Sequence, residues 1–388
     1  MEKTNKKAVK TLWAGHFSTD VYSGFVNPIM PFLAEKLGMT LAISTFIISL
    51  SHACSSLMQP IFGFLSDSWR KRFFIFFGLL MSSVFLPMMG LAHSVWILSI
   101  CLIIGSIGNG FFHPQATSFI NIYSSPKELS KNMSIFLSLG TLGFALGPIV
   151  SSSFSQYFGL KALPITSVMG IIVAALILFN VPKISDKADK IEHIRFFKAI
   201  KEIFTNKQML VLIMFSALKS LATQSNSILM PFLWKSMSYS AVQIGFLLFC
   251  FLIAGAIGTY MSAKLEKIMG TKPVMVMAFC AILPLTIIFA LTYKTNPLIA
   301  NTAFVVIGFF AMLSVPINMV LAHQVMPQYK SLISGFIGGF SWGIVAVAMT
   351  FCGFLAQKFG IMNVLIVVSA LPAFLTILVK YIPNRKYE

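Results

Sequence analysis

Acidic side chains are scarce in this chain: eleven Asp and Glu among 388 residues, with charged residues of both signs at only 10%. A soluble globular domain carries roughly 25% charged residues and needs them to cover its surface. The shortage excludes a water-soluble protein of this size. Cysteine is scarce as well. The five (Cys54, Cys101, Cys250, Cys280, Cys352) are dispersed through apolar stretches, with no C-x-x-C and no Cys/His cluster at metal spacing. Neither a disulfide framework nor a zinc site is expected. No G-x-x-x-x-G-K-[ST] loop is present, so ATP is excluded as the energy source. No Ser/His/Asp arrangement supports an enzyme. The basic start, MEKTNKKAVK, runs into an apolar segment with no small-residue cleavage site, which predicts a first membrane helix and not a signal peptide.

What is abundant is apolar: 57% of residues are hydrophobic, with 38 Phe and 22 Met. A membrane-spanning helix takes about 20 mostly apolar residues. Polar breaks define segments at 11–34, 41–65, 73–92, 95–122, 132–157, 162–181, 208–234, 241–263, 273–293, 298–323, 331–357 and 361–382. The expected fold is therefore an all-α membrane protein with twelve transmembrane helices. The one long polar stretch, 182–207, reads as a loop and divides the chain into six-helix bundles over 1–181 and 208–388.

The net charge of +18 is explained by where the basic residues fall. With the N-terminus inside, 23 of the 29 Lys and Arg lie in inside segments, among them Arg70, Lys71, Arg72 and seven in 182–207. Five lie outside (Lys36, Lys161, Lys235, Lys294, Lys358), and Lys219 is inside a span. Positive charge concentrates on the cytoplasmic side of membrane proteins, so both termini are expected there. A nucleic-acid partner is unnecessary.

The halves repeat. MPFL occurs at 30–33 and again at 230–233, and the same offset pairs Thr40 with Ser240, Leu65 with Leu265, Arg72 with Lys272 and Gly143 with Gly343. Two parallel repeats around a central loop indicate a transporter, with substrate held near the midplane and access alternating between the two sides.

Ionisable groups inside a membrane are costly, about 2.5–3.5 kcal/mol each on insertion scales, and so mark function. Asp20 is the only acid well inside a span. At 1.5 Å per residue it lies on the order of 14 Å into helix 1. His16, one helical turn earlier, shares its face. Asp20, with His16, is the expected proton-coupling group. Lys219 is equally deep in helix 7, where it binds an anionic substrate, approaches Asp20 to displace its proton, or forms a static ion pair. The stretch GNGFFHPQATSF (108–119) puts Phe112, His113 and Gln115 around Pro114. A proline kink would turn His113 and Gln115 into a cavity, with Phe112 beside the kink as a further substrate-contacting candidate. Asn226 is a further polar residue inside helix 7, either lining that cavity or bonded between helices.

Two motifs carry a resemblance. GFLSDSWRKR (63–72) resembles the signature loop of the major facilitator superfamily, which implies that Gly63, Asp67, Lys71 and Arg72 form a cytoplasmic conformational latch. GTLGFALGP (140–148) resembles the helix-5 glycine motif of drug–proton antiporters, in which Gly143, Gly147 and Pro148 act as a hinge; tight helix packing is the plainer reading of that spacing. Together with GHFSTDVYSGFVNPIMPFL (15–33) and GSIGNGFFHPQATS (105–118), the chain resembles the fosmidomycin resistance protein family, bacterial inner-membrane efflux proteins. Gln115 stands where that family often has Glu, which leaves Asp20 as the sole deep acid. The resemblance implies a monomeric drug/proton antiporter in the bacterial inner membrane. It would export small, toxic, anionic compounds and be driven by the proton gradient without a cofactor. Proton-coupled import of a small metabolite is the alternative.

Overall fold

The computed structural model describes residues 3–68, 72–183, 196–329, 333, 336, 337 and 341–382. All regular elements among them are helical. In chain order they are α1 (Lys6–Ser23), α2 (Val26–Leu37), α3 (Leu41–Ser68), α4 (Arg72–Met88), α5 (Val95–Tyr123), α6 (Leu129–Phe158), α7 (Ser167–Asn180), α8 (Phe196–Thr205), α9 (Lys207–Ser236), α10 (Ala241–Met269), α11 (Thr271–Cys280), α12 (Ile282–Thr292), α13 (Pro297–Leu313), α14 (Val315–Val325), α15 (Ser341–Phe359) and α16 (Ile361–Leu375), with short 3-10 turns. Pairs such as α11–α12 and α13–α14 follow each other directly and form single spans, Thr271–Thr292 and Pro297–Val325. Among the described residues nine helices are long and apolar enough to cross a membrane. The remaining expected spans correspond to α1 with α2, α3, and α9.

The chain divides into two compact units, Met1–Ile191 with Trp234–Phe249, and Glu192–Leu233 with Cys250–Glu388. In the first unit, α1 packs against α4, α5, α6 and α7. Its core includes Leu12, Leu79, Phe112, Phe119, Phe136 and Ile177. Burying side chains of this size stabilises by about 1.5–3 kcal/mol each, measured against water. Tyr22 ties the bundle together: its hydroxyl donates to the Thr166 carbonyl at 2.7 Å and accepts from the Gly170 amide at 3.0 Å. The Trp234–Phe249 segment joins this unit through Lys235. Its ammonium meets Glu35 Oε2 at 2.8 Å and sits 4.9 Å over the Phe32 ring. The Val242 amide donates to Gln156 Oε1 at 2.9 Å.

α1 and α6 form a close seam. A Cβ on Gly143 would land on the Phe17 carbonyl oxygen, and one on Gly147 on the Val21 carbonyl oxygen. Small residues one turn apart let the two backbones approach this closely. Of the two readings of the glycine motif, hinge or close packing, the geometry supports packing. Pro148 closes the motif beside Gly24, where α1 gives way to α2.

In the second unit α12 packs on α13 and α16, and α11 on α13. The central stretch departs from the expected plain loop, because Phe196–Thr205 is a helix. Its sequence FFKAIKEIFT puts Ile203, fully buried, on the core side with Ile200 packed beside it. Lys198 and Glu202 pair at 3.9 Å one turn apart on the outer face. The Tyr329 hydroxyl donates to Glu202 Oε2 at 2.9 Å and docks the helix. That partner, 127 residues upstream, keeps Tyr329 protonated above the usual phenol range.

Candidate functional site

α1 brings His16 and Asp20 to one face because they are four residues apart, one turn of helix. α5 adds His113. Asp20 lies between the two rings: its Oδ2 is 3.3 Å from His16 Nε2 and its Oδ1 is 3.3 Å from His113 Nε2. The rings meet edge to face, centroids 5.1 Å apart. His16 is clamped. Its Nδ1 lies 2.7 Å from the Phe136 carbonyl oxygen, and its ring stacks on Phe136 at 3.9 Å. A carbonyl only accepts, so Nδ1 carries the hydrogen and Nε2 is left to face Asp20. Neutral Nε2 presents a lone pair to a carboxylate that also has only lone pairs. The contact is attractive only when a proton or another cation is shared between them. α6 supplies the floor: at Gly140 a Cβ would collide with His16 and Asp20. The cluster is reached from one side, His113 being 27% and Asp20 14% exposed.

The residues around Pro114 divide about this cluster. α5 runs unbroken through Pro114, from Val95 to Tyr123. Past the proline, Thr117 donates to the His113 carbonyl at 2.8 Å. Phe112, the aromatic candidate of this stretch, does not face the open side of the cluster. It is fully buried in the core of the first unit, its ring near Gly15 and His16. A position one residue from His113 points about 100° away around a helix, toward the neighbouring helices. Gln115 is 1% exposed, and its Oε1 has no hydrogen-bond partner among the described residues.

In the second unit Lys219 is 7% exposed, and its ammonium has no ion-pair or hydrogen-bond partner among the described residues. It lines a cavity of about 70 Å³ with Ser216, Phe279, Ser314, Asn318 and Trp342. Asn318 donates to the Leu212 carbonyl at 3.0 Å, while its Oδ1 is buried with no partner among the described residues. Drug-sized ligands occupy pockets of roughly 300–1,000 Å³, so this space takes only a small headgroup or a few waters. Asn226 does not join it. The Asn226 amide donates to the Ala222 carbonyl at 2.8 Å, a bond within its own helix.

Of the expected latch, Arg72 is described: its guanidinium donates to the Val181 carbonyl at 2.8 Å. The surroundings of Gly63, the side chain of Asp67, and Lys71 lie outside what the structure describes.

A helical membrane protein with one acid flanked by imidazoles in one unit and one buried cation in the other has the makings of a solute transporter. The family model of the Major Facilitator Superfamily matches residues 12–346, and the chain belongs to that superfamily. Among curated proteins it is similar to the MFS-type transporter MJ1560 of Methanocaldococcus jannaschii, 33% identical over 157 residues, 40% of either chain. It is also similar to the quinolone resistance protein NorA of Staphylococcus aureus, 23% identical over 221 residues, 56% of this chain and 57% of NorA. The matches thus span about half the length of these relatives. Among solved structures, a mutant of the nucleoside transporter NupG superposes with a TM-score of 0.82 at 14% identity, over 97% of this chain and 99% of that one. A bacterial homologue of the human lysosomal transporter Spinster superposes at 0.76 and 13% identity, over 98% of each chain. At these identities the likeness concerns the fold. The protein is a multi-pass membrane transporter.

Proposed function

We propose that this transporter is a proton-coupled antiporter that exports small toxic compounds bearing an anionic group. The observation that carries the reading is the His16–Asp20–His113 cluster. Its single deep carboxylate faces two imidazole nitrogens at 3.3 Å each. A proton shared between the carboxylate and the His16 imidazole makes that contact attractive, and opening the geometry would release it. Lys219, with Ser216 and Asn318 beside it, receives the anionic headgroup, which supplies the counter-charge the ammonium lacks. Exchange proceeds by alternating access. The similarity to NorA and to the fosmidomycin resistance family favours export over uptake. The distribution of Lys and Arg supports both termini on the cytoplasmic side, and we propose a monomer in the bacterial inner membrane.

The test is proton release in everted vesicles holding a proton gradient. The vesicles are challenged with fosmidomycin and with matched anionic and cationic drugs. Wild type is expected to dissipate the gradient on adding an anionic compound, and Asp20→Asn to lose at least nine-tenths of that response. A full response from folded Asp20→Asn, or none from wild type to any anion, rejects the reading.

A further inference from the structure

We infer that the His16–Asp20–His113 cluster is a binding site for a divalent transition-metal ion of the zinc class. The donor set is two imidazoles and a carboxylate, which suits Zn²⁺, Co²⁺ and Ni²⁺ and not the hard ions Mg²⁺ and Ca²⁺, which take oxygen ligands. The spacing suits it as well. Zinc holds nitrogen and oxygen donors at about 2.0–2.1 Å in a tetrahedron, which sets neighbouring donors about 3.3 Å apart. Here His16 Nε2 lies 3.3 Å from Asp20 Oδ2 and His113 Nε2 3.3 Å from Asp20 Oδ1, and one donor atom from each of the three residues falls within 4.8 Å of the others, so a small turn of the carboxylate brings a single oxygen to both imidazoles.

The surroundings are those of a metal ligand. His16 Nδ1–H on the Phe136 carbonyl at 2.7 Å leaves Nε2 as the donor toward the ion. A metal-ligating histidine almost always commits its other nitrogen to a backbone carbonyl or a carboxylate, which fixes the tautomer and the ring. Stacking on Phe136 and the bare backbone at Gly140 hold His16 in place. Three protein donors leave a fourth position open, on the side where His113 is 27% exposed. Structural zinc sites close all four positions with protein, so this one belongs with sites that exchange their fourth ligand. Water takes that position, or the anionic group of a solute that chelates the metal. The cluster then recognises metal chelates as cargo, or lets a metal ion occupy the coupling site in place of its proton.

The inference takes from the proposed transport role only that solutes reach this cleft. Its test needs neither a gradient nor a drug. Purified protein in detergent at fixed pH is titrated with Co²⁺, whose tetrahedral complexes show intense visible d–d bands, and then back-titrated with Zn²⁺. One Co²⁺ per chain with tetrahedral bands, bleached by one equivalent of Zn²⁺, is the expected result. His113→Ala and Asp20→Asn are expected to lower Co²⁺ affinity at least tenfold, and the exposed His93→Ala to leave it unchanged. Absence of tetrahedral bands in wild type overturns the inference, as does equal binding by wild type and folded His113→Ala. Should the variants fail to fold, protection of His113 from diethylpyrocarbonate by Zn²⁺, read by mass spectrometry on wild type, decides: modification undiminished by saturating Zn²⁺ overturns it. A transporter that binds Co²⁺ but releases no protons to any drug keeps the metal site and loses the antiport reading. The opposite pair of results does the reverse.

Discussion

Replacing Lys219 by Met tests what its cavity is for. The ammonium is 7% exposed and lines a space of about 70 Å³ without a counter-charge among the described residues. Removing one partner of a buried ion pair costs about 3–5 kcal/mol, because the other charge stays behind unpaired. Lys219 without its ligand stands in that second position. Met has nearly the same length and no charge, and apolar replacement of buried charges gains on the order of 1–4 kcal/mol. In a unit of this size each kcal/mol moves Tm by about 2–4 °C, so Lys219→Met melts several degrees above wild type in detergent without substrate. Adding an anionic substrate reverses the order. Wild type gains stability by mass action, about 2.7 kcal/mol at a hundredfold excess over Kd, while the variant gains nothing. Thermal unfolding with and without fosmidomycin or a simple phosphonate reads both effects. A Lys219→Met protein that melts below wild type without ligand, or that is stabilised by the anion as much as wild type, refutes the argument that the lysine waits for an anion.

Two further predictions concern packing and pH. Gly143→Ala places a methyl on the Phe17 carbonyl, and overpacking of this kind costs about 1–3 kcal/mol; it outweighs the helix-propensity gain of about 1 kcal/mol, so Tm falls while a tolerant seam would raise it. The Tyr329–Glu202 bond raises the folded-state value of a tyrosine above its free value of about 10. Its contribution is therefore complete below about pH 10 and fades as pH rises through the elevated value. The protection factors of the 196–205 amides, exchange rates corrected for their intrinsic rise with pH, are expected to fall in Tyr329→Phe at neutral pH and in wild type only in strong base; wild-type protection that falls already between about pH 7 and 9 contradicts this.

How far the sequence reveals this molecule depends on the range of each interaction. Twelve apolar segments and the charge asymmetry are local properties of the chain, and the helices follow them. His16 and Asp20 can be paired by eye because an i,i+4 spacing on a helix is a distance. The third member, His113, lies 93 residues beyond Asp20 in the chain; only the packing of α5 on α1 brings it there, so no metal-like spacing is visible along the sequence. Phe112 is drawn toward the site by its neighbour His113, although consecutive helical residues face different ways. The α8 helix reads as loop because its charges dominate a short window, while the apolar face that Ile203 buries is only a few residues wide. Asn226 is polar inside a span but satisfied by its own backbone, an outcome composition cannot foresee.

The cluster also works as a ruler. His16 and Asp20 ride on α1, His113 on α5, and the carbonyl that orients His16 on α6. A slide of α5 along α1 by one residue, about 1.5 Å, pulls His113 off Asp20 while leaving His16 in place. Occupancy of the carboxylate and the register of three helices are then one variable. On the proposed roles, a bundle that changes its stagger gives up the shared proton or metal ion, and one that loses the ion loses a tie between α1 and α5.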